Sequence, residues 1–148
     1  TVRGESWNPP WSKNEGDTSV SLTFTLENNG RIIYSASWCA QGDFADWNGN
    51  WLLEGELGSI RYRDGALSLN QTNDQYQVQE SRDVPLEGPP VQNQSYVLAD
   101  FMAAREENRQ PLTSIFDNLG SLAMVDAARE AVNSGERVQI AAVDELLA

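Results

Sequence analysis

The sequence predicts an α+β fold, an open antiparallel β-sheet with two main helices packed on one face. Three observations carry this expectation. Apolar and polar residues alternate with period 2 through the first half of the chain, two-residue hairpin signals recur between the alternating runs, and from Gln94 the apolar period changes to 3.6. Strands that come first and helices that follow segregate into layers instead of forming crossover units.

The elements follow in order. From Thr18, the residues Val20, Leu22, Phe24 and Leu26 point one way and Ser19, Ser21, Thr23 and Thr25 the other, as a half-buried strand requires. Asn28-Asn29-Gly30 follows, and Asn-Gly accommodates the positive φ of a tight hairpin. The returning strand runs from Arg31 to about Ala40, with Ile32, Tyr34 and Trp38 on one face and Ile33 and Cys39 on the other. Bulk on both faces calls for cover on the side away from the helices, and a partner subunit or a second domain would supply it. After the polar stretch Gln41 to Asn50, strands are expected over Trp51 to Glu56, Ser59 to Arg63 and Ala66 to Asn70, the last two joined by Asp64-Gly65. Tyr76 and Val78, alternating with Gln75, Gln77 and Gln79, read as one more strand before Pro85, Gly88, Pro89 and Pro90 break the pattern.

The first helix is expected near Ser95 to Asn108, with Val97, Leu98, Phe101, Met102 and Ala104 as its apolar stripe and Pro111 as its stop. The second begins between Thr113 and Asp117, with Ser114 as cap, and ends near Ser134 with Gly135 at C′. Met124, Val125, Ala128, Ala131 and Val132 form its sheet-facing side, and Asp126, Arg129, Glu130 and Asn133 its polar arc.

Composition excludes more functions than it suggests. With 148 residues, a compact monomer of this size exposes on the order of 7,500 Å², which predicts one domain with a sizeable core. Twenty-two acidic against ten basic side chains leave a net charge of −12, which repels phosphate backbones and makes nucleic acid and anionic membranes poor partners. The chain has no histidine, so imidazole-based nucleophilic, zinc and iron sites are out of reach. Lys13 is its sole lysine, leaving one candidate for Schiff-base chemistry. Cys39 has no partner within the chain, which fits a reducing, cytoplasmic setting and an inert core thiol. No signal peptide or bilayer-length apolar run is visible. The chain begins with Thr1, as the end of a longer protein or a trimmed piece would.

The candidate site is aromatic and polar. Trp7, Trp11, Trp38, Trp47 and Trp51 all lie in the first 51 residues. Indoles serve either as core and interface or as stacking platforms for the C–H faces of a sugar. Between Trp38 and Trp51 stand Gln41, Asp43, Phe44, Asp46, Trp47, Asn48 and Asn50. Short polar groups among aromatics suit a polyol pocket, and they equally suit a turn-rich loop. Trp38, Gln41, Asp43, Trp47, Asn48 and Trp51 are therefore the candidate substrate-binding residues. Asp43 and Asp46 form a weaker candidate pair for glycoside hydrolysis. Gly55 and Gly58 read as turn glycines because no P-loop lysine or following helix accompanies them. Arg61-Tyr62-Arg63 reads as an exposed strand face, and Arg105, Glu106, Glu107 and Arg109 as a solvated helix end.

The order of segments carries a further signal. Tyr96-Val97-Leu98-Ala99-Asp100-Phe101-Met102, Arg109-Gln110-Pro111-Leu112-Thr113, Asn118-Leu119-Gly120-Ser121-Leu122-Ala123-Met124-Val125-Asp126-Ala127-Ala128 and Ser134-Gly135-Glu136-Arg137-Val138 follow one another. Together they resemble the carboxyl end of the glucose-fructose oxidoreductase / inositol dehydrogenase / MocA family. Trp47 to Ile60 resembles that family's G-x-x-G-x-(I/L) strand pair. The resemblance implies a C-terminal substrate and oligomerisation domain whose sheet forms one wall of a sugar or cyclic-polyol pocket and whose open face supports a homo-oligomer. It also implies a partner Rossmann domain that binds NAD or NADP. The G-x-G-x-x-G, E-K-P and D-x-x-x-H segments of that domain are absent from this chain. No catalytic, cofactor-binding or metal-ligating residue is therefore expected here. Alternatives from other classes are a free-standing carbohydrate-binding module and an oligomerisation module.

Overall fold

In a computed structural model of the chain, the structure describes residues 1–42, 44–88 and 93–146; Asp43, Pro89 and Pro90 lie outside them. The chain divides into two compact units, Thr1–Ala40 with Asn93–Ala148, and Gln41–Gln92. The α+β class holds, with seven antiparallel strands and two main helices, and the strands form two open sheets.

The first unit holds the three-stranded sheet β1-β2-β3, from β1 (Val2–Trp7), β2 (Ser19–Thr25) and β3 (Arg31–Ser37). Strand β1 is not legible in the sequence, because Gly4 and Ser6 share the face of Val2 and erase the apolar alternation. Gly4 is there for a steric reason: a Cβ at that position would overlap the Ser21 carbonyl oxygen and the Leu22 side chain. The register sets Val2 opposite Phe24 and Phe24 opposite Ile32, with Gly4, Leu22 and Tyr34 forming the next row. The hairpin after β2 turns at Asn29, whose φ is 68°, and not at Gly30. The Gly30 carbonyl instead accepts from the Leu26 N–H at 3.0 Å, closing the turn.

Helix α2 (Ile115–Ser134) lies against β1 and β2. Ser114 caps it, its Oγ accepting from the Asp117 N–H at 3.1 Å, and Gly135 ends it at a left-handed φ of 73° while donating to Ala131 O. Val2, Leu22, Phe24, Ala127, Ala128 and Ala131 are the buried core, with Val20, Met124, Val132, Val138 and Ile140 packed around it. Val125, placed on the sheet-facing side by its spacing, is exposed instead; Ala123 and Ala127 take the inner positions. Alanine brings the helix backbone close to the sheet, so β-branched Val125 lies beyond the contact stripe. After α2, Val138 exchanges two backbone hydrogen bonds with Val2, at 2.8 and 2.9 Å, which ties the start of the unit to its end. Helix α1 (Asn93–Glu107) buries Ala104, while Val97, Leu98, Phe101 and Met102 are about half exposed. A last short turn, α3 (Val143–Leu146), packs near α2.

The second unit is the sheet β4-β5-β6-β7, from β4 (Trp51–Gly55), β5 (Gly58–Arg63), β6 (Ala66–Thr72) and β7 (Val78–Val84). Asp64 and Gly65 both take positive φ, as the expected primed hairpin turn demands. The final strand lies later than its alternation suggests. Asn73 Oδ1 accepts from the backbone of Gln75 and Gln77, folding Asn73–Tyr76 into a turn with Tyr76 at φ 59°, and β7 begins only at Val78. Its alternation of Glu80 and Arg82 with Ser81 and Asp83 has no apolar face to read. Pairing rows Trp51-Tyr62-Leu67-Val84 and Leu53-Ile60-Leu69-Arg82 make one face of this sheet apolar. The opposite face carries Leu52-Arg61-Ser68-Asp83 and Glu54-Ser59-Asn70-Ser81.

Trp51, Leu53 and Ile60 in the second unit and the α1 stripe in the first are exposed. No helix among the described residues is long and apolar enough to cross a membrane. Replacing Phe24, which is 7% exposed, by Ala should cost about 3 kcal/mol in a denaturant unfolding experiment. Ile33→Ser, at a position 81% exposed, should stay within about 0.5 kcal/mol; equal losses would contradict this placement of the core.

Candidate functional site

The polar–aromatic stretch folds around one turn in the second unit. Asp46, Trp47, Asn48 and Gly49 form a β-turn closed by Gly49 N–H to Asp46 O at 3.0 Å, with Gly49 at φ 73°. Asp at the first position and Gly at the fourth are the residues such a turn favours. Asp46 Oδ1 also accepts from the Asn48 N–H at 2.8 Å, an Asx contact inside the turn. This geometry puts Trp47 at the tip, where it is 94% exposed.

Tyr62, on β5, joins the turn to the sheet. Its hydroxyl donates to Asp46 Oδ2 at 3.1 Å and accepts from Asn48 Nδ2 at 3.2 Å. Trp51, the cross-strand partner of Tyr62, donates its indole N–H to Asn48 O at 2.6 Å. The indole edge is thus occupied from within the chain, and a ligand would meet only the π face. Polar recognition falls to Asp46 and Asn48.

Three of the six candidate residues are brought together within the second unit. Asn48 and Trp51 are in direct contact and Trp47 adjoins them in the turn. Gln41 is exposed in the same unit, Asp43 lies outside the described residues, and Trp38 belongs to the first unit, 81% exposed just past the end of β3. Sequence reasoning passed over Tyr62 as part of an exposed strand. The available signal was parity: Tyr62 and Ile60 alternate with Arg61 and Arg63, placing Tyr62 on the apolar side.

Two other features lie in the first unit. Cys39 is half-buried beyond β3 and not within it. Side-chain hydrogen bonds with Ser12 and Thr18 hold its thiol below the usual range, against the opposing effect of desolvation, with one to Asn14 adding to them. Trp11 Nε1 donates to the Cys39 carbonyl at 2.8 Å, so this indole anchors a loop. Along α2 an open groove of about 890 Å³ is lined by Leu119, Leu122, Ala127, Arg129, Glu130 and Gln139 among others, and holds none of the candidate residues.

The segment joining the helices is held by one carboxylate. Asp100, on α1, accepts from the Leu112 N–H at 2.7 Å and from Arg109 Nη2 at 2.9 Å, while Arg109 Nε donates to Glu107 at 2.6 Å. The backbone N–H of Leu112 first, and then Arg109, hold the Asp100 carboxyl below its ordinary range despite partial desolvation. The expected solvated helix end is thus a clip: Arg109 bridges Glu107 and Asp100, and its own pKa is raised.

No family model matches the chain. The uncharacterized protein y4oX of Sinorhizobium fredii is 24% identical over 149 residues, covering 95% of this chain and 41% of that protein. Among solved structures, the chain is similar to an oxidoreductase from Agrobacterium radiobacter in complex with NAD+, L-tartaric acid and magnesium, at TM-score 0.71 and 16% identity, covering 94% of this chain and 42% of that one. It is similar to a proposed oxidoreductase from Thermotoga maritima at TM-score 0.71 and 18% identity (93% and 39% covered). A proposed oxidoreductase from Klebsiella pneumoniae gives TM-score 0.68 and 14% identity (97% and 44% covered). The chain therefore has the fold of one part of these oxidoreductases and spans about two fifths of the length of each protein it matches.

The clip makes a pH prediction. A carboxylate with a depressed folded pKa adds stability above its unfolded pKa, near 4, and loses it as pH falls through the folded value. Asp100→Ala should therefore lower the thermal midpoint at pH 7, and its gap from the parent should close as the pH drops below about 4. A gap that is constant from pH 7 to pH 2 would mean that ionisation of Asp100 contributes nothing.

Proposed function

We propose that this chain is the C-terminal domain of an NAD(P)-dependent oxidoreductase of the glucose-fructose oxidoreductase / inositol dehydrogenase / MocA family. It would supply one wall of the substrate pocket and a subunit contact. The observation that carries the reading is the shared fold: more than nine tenths of the chain superposes on part of three oxidoreductases. The ordered segments from Tyr96 to Val138 support the same family.

The described residues do not fit a dinucleotide site. Both sheets are antiparallel, whereas such cofactors sit at the carboxyl ends of parallel strands, over a glycine-rich turn into a helix. The first turn of α2 carries Asp117, which would repel a pyrophosphate. In this reading NAD or NADP binds to a Rossmann domain elsewhere in the full protein, and hydride transfer is that domain's chemistry. The present chain would orient the substrate.

A neutral polyol is the favoured substrate class. The Agrobacterium oxidoreductase is held in complex with L-tartaric acid, a small hydroxylated acid. The second unit of this chain, with nine acidic and three basic side chains, is a poorer host for an anion than for a neutral sugar or cyclitol. The flat faces of Trp47 and Trp51 suit ring C–H groups, and Asp46 and Asn48 suit hydroxyls. The apolar face of the four-stranded sheet, with Leu53 at 55% and Ile60 at 40% exposure, suits a contact with a second copy.

Two measurements test the reading. Titrating the chain with NADH while following cofactor fluorescence should show no saturable micromolar binding, and such binding would overturn the assignment of the cofactor to another domain. Light scattering should show an oligomer that Leu53→Asp or Ile60→Asp dissociates; if both variants keep the parent mass, the subunit contact lies elsewhere.

A further inference from the structure

We propose that Tyr62 is a positioning residue for the polyol site: its hydroxyl holds the Asp46–Gly49 turn against β5 and thereby sets the plane of the Trp51 indole. The proposal rests on the polyol reading of this turn and adds to it the group that gives the site its shape.

The geometry closes a ring of contacts. Tyr62 reaches both carriers of polarity at once, donating to Asp46 Oδ2 and accepting from Asn48 Nδ2. Asp46 Oδ1 holds the Asn48 backbone, and the Asn48 carbonyl holds the Trp51 N–H. Trp51 then returns to Tyr62 as its directly opposite neighbour in the β4–β5 ladder. The strand pairing fixes the backbones of Tyr62 and Trp51 independently of the turn, so the phenolic oxygen and the Trp51 indole N–H are points at which the sheet meets the loop. Cross-strand aromatic neighbours also restrict each other's rotamers.

The arrangement has a chemical consequence for a ligand. Asp46 spends one lone pair of each carboxylate oxygen inside the ring, and Asn48 spends its backbone N–H and carbonyl as well as one Nδ2 hydrogen. Asn48 Oδ1, the other Nδ2 hydrogen and the second lone pairs of Asp46 remain for hydroxyls. Without the Tyr62 hydroxyl, those groups could rotate to satisfy one another. Pre-organisation of this kind improves affinity by removing an ordering cost, not by adding a ligand contact.

The test separates the pin from the polyol reading. In the ¹⁵N-labelled full chain, hydrogen exchange of the Trp51 indole N–H should be about 3- to 10-fold faster in Tyr62→Phe. Exchange of the Trp11 indole and the thermal midpoint should not change. Asp46→Ala should have a similar effect, and the double variant should be no worse than either single one. Unchanged Trp51 exchange in Tyr62→Phe, or strict additivity of the two substitutions, would overturn the positioning role whether or not any ligand binds. With myo-inositol as the probe, shifts at Asp46, Asn48 and Trp51 should saturate in the parent and need several-fold more probe in Tyr62→Phe. If the parent shows no shifts while Trp51 exchange responds as stated, the polyol reading fails and the pin stands. If the shifts saturate equally in both proteins, the pin does not serve the site.

Discussion

The alanine face of α2 laid on Val2, Leu22 and Phe24 is the contact on which the first unit depends. Strand β1 has almost no apolar content of its own, and as an edge strand it would be marginal without a cover. Ala127, Ala128 and Ala131 supply that cover because a methyl-sized side chain lets the helix approach to where Val2 is 1% exposed. Gly4 serves the same closeness from inside the sheet, where β1 and β2 lie too near for a side chain. The backbone pair between Val2 and Val138 follows, since a helix seated on β1 delivers the chain beyond Gly135 to the free edge of that strand. The unit is therefore closed by residues at the two ends of the sequence.

The second unit is built on a different economy. Its sheet has one apolar face and no helix among the unit's described residues, and Trp51, Leu53 and Ile60 are exposed. Local hydrogen bonds do the ordering that burial does elsewhere. Asx contacts at Asp46 and Asn73, and the Tyr62 hydroxyl, fix its turns. The indole N–H groups of Trp11 and Trp51 donate to backbone carbonyls and anchor loops. This leaves aromatic faces outward, and the proposal of a recognition surface and a subunit contact rests on that.

Much of the architecture was legible because it is written locally. Ser114, Asp117 and Gly135 mark the ends of α2 by capping chemistry that acts within four residues, and Asp64-Gly65 marks a hairpin by backbone sterics. The polar–aromatic turn was visible for the same reason. What escaped was non-local. Strand β1 depends on partners rather than on alternation, and Tyr62 becomes part of a site only once β5 is paired with β4. Arg109 reads as a solvated charge, yet it bonds to Asp100, which also holds the Leu112 N–H across the turn between the helices.

The sequence by itself determined the α+β class, the order of the elements, the caps, the acidic character and the absence of imidazole chemistry, since each is set by composition or by neighbours in the chain. Only the tertiary structure decided that the strands form two sheets, that Val125 faces outward while alanines form the core, and that Tyr62 joins Asp46, Asn48 and Trp51. The reason is that side-chain parity names the residues on a face, while pairing register and helix approach decide which of them touch.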